Sequence, residues 1–72
     1  MELPDWFDGT IYDEGDVVTN PFTGETVELT NEELSMYDLI MGAQMFGNYD
    51  LMQKGLKWFQ EANPKAYMML LD

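Results

Sequence analysis

The stretch from Thr30 to Ala62, TNEELSMYDLIMGAQMFGNYDLMQKGLKWFQEA, constrains this chain more than any other. It reads as two amphipathic helices folded against each other at Gly47-Asn48. Thr30 and Glu33 form a T-x-x-E capping box, in which each side chain serves the other residue's backbone amide. Glu32 and Glu33 also place negative charge in the positive first turn. The helix then carries Leu34, Tyr37, Ile40, Met41 and Met45 on one stripe, and Met36, Leu39, Ala43 and Phe46 widen it. So broad an apolar arc predicts a central helix rather than one lying on a surface. Gly47 supplies the left-handed residue that ends it, and Asn48 caps the next. In the second helix Leu51, Met52, Gly55, Leu56, Phe59 and Ala62 share one face. Asp50, Gln53, Lys54, Lys57, Gln60 and Glu61 take the other. The short connection makes the pair antiparallel.

Seventy-two residues make one small domain, residues 1–72, with a modest core. The chain has no Cys and no His. Disulfides, thiolate metal sites and the usual general-base and triad chemistry are therefore excluded. No apolar run approaches the roughly 20 residues of a membrane span. The opening MELPDWFDG is acidic where a signal peptide is basic, so a cytoplasmic protein without a membrane partner is expected.

Charge is unevenly distributed. Residues 1–38 hold eleven of the fourteen acids and none of the three lysines, whereas residues 39–72 balance at zero. Affinity for nucleic acid comes mainly from cations that neutralise phosphates, so direct nucleic-acid binding is not expected. The acids Glu2, Asp5, Asp8, Asp13, Glu14, Asp16, Glu25 and Glu28 form a candidate acidic face. Its plainest role is to keep a small, apolar-rich protein dissolved.

Along the chain, residues 1–9 set Leu3, Pro4, Trp6 and Phe7 among acids, and read as one turn of lid over the helical core. The alternative is an acidic-aromatic motif that docks elsewhere. Residues 10–29 form the β region. Ile11 and Tyr12 open a short extended piece, and Asp13-Glu14-Gly15-Asp16 favours a turn. Val17-Val18-Thr19 and Thr26-Val27-Glu28-Leu29 flank Asn20-Pro21-Phe22-Thr23-Gly24-Glu25, which predicts a β-hairpin over about 17–29. Val18 or Val17, with Val27 and Leu29, should face the helices. Asp13, Glu14 and Asp16 lack the ligand spacing of a calcium loop, so no metal site is expected.

Within residues 30–72, Asn63-Pro64 starts a third helix, Asn63 as cap and Pro64 in the first position. Its residues Ala66 to Leu71 leave no polar face. Such a helix is buried centrally or used at an interface. So small a domain cannot enclose it, which makes Tyr67, Met68, Leu70 and Leu71 the candidate interface. The expected architecture is α+β, with the hairpin packed on helices near 31–46, 49–62 and 64–71.

NPFTGETVELT, ELSMYDLIMGAQ and WFQEANPKAYMMLLD resemble small acidic proteins, without assigned activity, encoded by tailed phages of marine cyanobacteria. The resemblance implies a phage or marine-metagenome origin and a life in the infected cell's cytoplasm, and it carries no functional residues with it. Residues 36–64 also resemble one tetratricopeptide unit through the spacing of Gly47, Tyr49 and Pro64. Met52 and Phe59 stand where that motif has small residues, and no second copy follows.

The glycines fit no phosphate loop, Ser35 and the threonines have no His partner, and nothing suggests a cleft that would tune a carboxylate pair. No enzyme, catalytic residue or cofactor is expected. The leading expectation is a protein-interaction module, self-associating or with another protein, to which the seven methionines lend adaptable surface. The alternatives are an acidic nucleic-acid mimic that blocks a basic host protein, and a structural piece of a virion or other assembly.

Overall fold

The computed structural model describes residues 1–72. An antiparallel hairpin, β1 (Asp16–Thr19) and β2 (Thr26–Leu29), is followed by α1 (Asn31–Phe46), α2 (Tyr49–Ala62) and α3 (Pro64–Leu70). The fold is α+β.

Asp16 pairs with Leu29, Val17 with Glu28, Val18 with Val27 and Thr19 with Thr26. Side chains alternate along a strand, so this register turns Val18, Val27 and Leu29 toward the helices and leaves Val17 outside. The strand begins one residue earlier than its β-branched run. Asp16 Oδ1 accepts from the Val17 amide, and Gly15 passes so close to Leu29 that a Cβ there would stand 2.1 Å from the Leu29 carbonyl oxygen. Only glycine permits that approach.

The capping box of α1 is complete: Thr30 Oγ1 accepts from the Glu33 amide at 3.2 Å, and Glu33 Oε1 from the Thr30 amide at 3.0 Å. Gly47, at φ 74°, ends the helix. Asn48 Oδ1 then accepts from the Leu51 amide to start α2. Gly55 of α2 meets Ile40 and Met36 of α1. Gly55 and Ile40 lie equally far from the Gly47-Asn48 turn, as antiparallel helices require. Asn63 Oδ1 caps α3 through the Ala66 amide, with Pro64 first in the helix. The helix ends at Leu70, one residue short of the expected limit, with Leu71 as its C-cap.

The core gathers Leu29, Met36, Leu39, Ile40, Trp58, Phe59 and Ala66, with Phe59 fully enclosed. Tyr37 and Trp58 approach the Phe59 ring with centroids 6.5 and 6.4 Å away, within the favourable range for tilted aromatic pairs. Residues 1–9 lie over this core. Leu3, Trp6 and Phe7 pack on it, the Trp58 indole N–H donates to the Glu2 carbonyl at 2.9 Å, and Lys54 Nζ sits 5.8 Å from the Trp6 ring centre. Ile11 and Tyr12 form no strand. Instead the Tyr12 backbone is tied to α1, its amide donating to Ser35 Oγ and its carbonyl accepting from Asn31 Nδ2.

The apolar arc expected of α1 is narrower in the fold. Met45 and Phe46 are 83% and 87% exposed. They belong to the last turn of α1, where no other element covers them. No helix is long and apolar enough to cross a membrane.

Candidate functional site

Two surface features stand out. The first is a groove of about 740 Å³ at one end of the domain. Its floor is Tyr37, Ile40 and Met41 of α1 with Met52 and Leu56 of α2, and its rim is the hairpin loop, Tyr49 and the end of α3. Nine of its thirteen residues are apolar, and Asp72 is its one charged residue.

The loop at the rim is built to hold one conformation. Asn20 Oδ1 accepts from the amides of Phe22 and Thr23, an Asx turn of the kind Asn-Pro favours. Thr23 Oγ1 accepts from the Glu25 amide, and Gly24, at φ 76°, closes the loop with its amide on the Asn20 carbonyl. The free end of the Asn20 amide, Nδ2, donates to the Met69 carbonyl at 2.8 Å and so anchors the loop to α3. The product of this construction is Phe22, 95% exposed and aimed away from its own core. Burying such a side chain is worth about 1.5–3 kcal/mol, and folding does not use it.

Of the interface candidates from the sequence, Leu70 and Leu71 line the groove. Tyr67 packs against the core instead, and Met68 is 69% exposed but lies outside the groove. Phe22, Tyr49, Met41 and Met52 were not among those candidates. Phe22 carried a local signal, since a bulky aromatic inside a turn-forming Asn-Pro-x-Thr-Gly run has no packing role to play within a hairpin loop. The others depend on how the helices meet the loop, and no local pattern reveals that.

The second feature is an open acidic groove of about 540 Å³, where Asp13, Glu14, Asp16 and Glu28 line one wall system with Thr30 and Asn31. Of the other acids in the candidate face, Glu2, Asp5 and Asp8 lie in the N-terminal segment and Glu25 in the hairpin loop, and none of them lines this groove. No three carboxylates converge closely enough to hold a metal ion.

A third cluster is buried and structural. Glu33 Oε1 accepts from Asn63 Nδ2 at 3.2 Å as well as from the Thr30 amide, which joins the N-caps of α1 and α3. Every buried side-chain polar atom has a partner, so none is held in reserve for a ligand.

Comparison with protein-family models, curated proteins and solved structures finds no match to this chain.

Proposed function

We propose that the protein is a small non-enzymatic module whose apolar end binds another protein chain. The observation that carries this reading is Phe22. A rigid loop holds a large aromatic ring almost wholly in water beside a groove lined by apolar side chains. Aromatic anchors that are already ordered lose little side-chain freedom on binding, and they dominate interface energies. Met41 and Met52 in the floor suit a surface that adapts to what it contacts.

The reading is tested with a benzophenone side chain at position 49, on the groove rim, and at position 61, on the polar face of α2. In cells that make the chain naturally, irradiation is expected to give a discrete cross-linked product from position 49 and none from position 61. Equal yields from both positions, or none from either, would contradict it.

The acidic groove supports a second reading, a site for a cationic partner such as a basic nucleic-acid-binding protein. Its four carboxylates share one concave surface and no lysine lines it. Asp13→Asn with Asp16→Asn would weaken such a complex, and so would salt, whereas neither would weaken contact through the apolar end.

A further inference from the structure

We propose that the apolar groove takes the trimethylated side chain of a lysine on the partner protein. This rests on the reading of the apolar end as a protein-binding face, and it names the group that the face recognises. Three aromatic rings line the groove: Phe22 from the hairpin loop, Tyr37 from α1 and Tyr49 from the start of α2. Phe22 is 95% and Tyr49 66% exposed, so folding leaves their π faces free. Tyr37 is half-buried, its ring set against Phe59. A cation over such faces is attracted by the ring quadrupole, and Asp72, the groove's one charged residue, adds a carboxylate. No lysine lines the groove and the chain carries −11, so charge favours a cationic occupant.

Hydrogen bonding decides which cation. A lysine ammonium brings three N–H donors and a guanidinium five, each needing an acceptor when it leaves water. The groove has few to offer, since nine of its thirteen residues are apolar. Asn20 is already committed, its side-chain oxygen to the Phe22 and Thr23 amides and its nitrogen to the Met69 carbonyl. A trimethylammonium group keeps the charge, carries no N–H and strands no donor in this lining. The four-carbon stem behind it is apolar and matches the floor of Met41, Met52 and Leu56. The Asn20 bonds hold the Phe22 loop on α3, so that wall is in place before the ligand arrives. Phosphocholine offers the same cation, but beside a phosphate that so acidic a chain repels.

Chemical-shift titration of the full chain with capped Gly-X-Gly peptides tests this. X is trimethyllysine, lysine, or the neutral isostere with a tert-butyl group in place of the trimethylammonium. The expected result is saturable, roughly millimolar binding of the trimethyllysine peptide, about 10-fold tighter than either of the others, with shifts at Phe22, Tyr37 and Tyr49. Phe22→Leu keeps apolar bulk and removes a π face, and should weaken binding about 3-fold or more. Phe22 buries almost nothing, so this variant should keep the circular dichroism of the parent. Met68→Leu, at an exposed site outside the groove, should leave binding unchanged. No binding of the trimethyllysine peptide overturns the proposal. So does equal binding of the neutral isostere, binding that Phe22→Leu leaves unchanged, or tighter binding of phosphocholine. Failure of the peptide while position 49 still cross-links to a protein would overturn the methylated lysine alone. Absence of both would remove the binding face as well.

Discussion

Two glycines in the helical hairpin separate packing from propensity. A Cβ at Gly55 would stand 2.6 Å from Ile40 Cγ1, inside the tightest part of the α1–α2 contact. Alanine gains about 1 kcal/mol of helix propensity there, but displacing a buried Ile costs about 1–3 kcal/mol. Gly55→Ala should therefore lower stability by up to about 2 kcal/mol. Nothing lies within 4 Å of the corresponding Cβ at Gly42, so Gly42→Ala should raise it by about 0.5–1 kcal/mol. Urea unfolding followed by tryptophan fluorescence measures both, and equal effects would mean that the helices are not packed as described. The sequence marked Gly55 as a small residue on the apolar face of α2. It offered nothing to distinguish Gly42, since a helix-interior glycine looks the same whether a neighbour presses on it or not. Trp58 was likewise hidden. It falls seven residues after Leu51 and three after Gly55, on the apolar face, but its burial is completed by residues 1–9, which pack on the core and accept its indole proton at the Glu2 carbonyl.

At the scale of elements, the ends were the most legible features. Thr30-x-x-Glu33, Gly47-Asn48 and Asn63-Pro64 each carry a local mechanism, and each stands at a helix boundary in the fold. What the sequence concealed was their joining. Asn63 caps α3 with its oxygen and donates from its nitrogen to the Glu33 carboxylate, so one side chain serves two helices 30 residues apart. Asn63→Ala should cost about 2–4 kcal/mol, of which the cap accounts for about 1 and the charge-assisted bond for the rest. Thr30→Ala breaks only one cap and should cost about 1 kcal/mol. If the two variants unfold at the same urea concentration, the link between caps contributes nothing. The expected breadth of the α1 arc failed at Met45 and Phe46 because periodicity records which way a side chain points, not whether an opposing element reaches it. α1 packs mainly on α2, with a smaller contact to β2, and its last turn is left exposed at Met45 and Phe46.

At the scale of the whole molecule, charge and apolar surface are unevenly distributed. Residues 1–38 hold eleven of the fourteen acids, and the helices with the tip of the hairpin line the apolar groove. The asymmetry of charge was plain in the sequence. The groove was not, because its residues come from four separate segments, and of the candidates in the apolar run of α3 only Leu70 and Leu71 line it. Backbone amide chemical shifts of the labelled chain, recorded with and without the protein that cross-links to position 49, test the account most directly. The changes should be confined to the loop around Phe22, the groove-facing turns of α1 and α2, and residues 70–72. Shifts that the partner leaves unchanged, or changes that centre on Asp13 to Asp16 and Glu28, would contradict it.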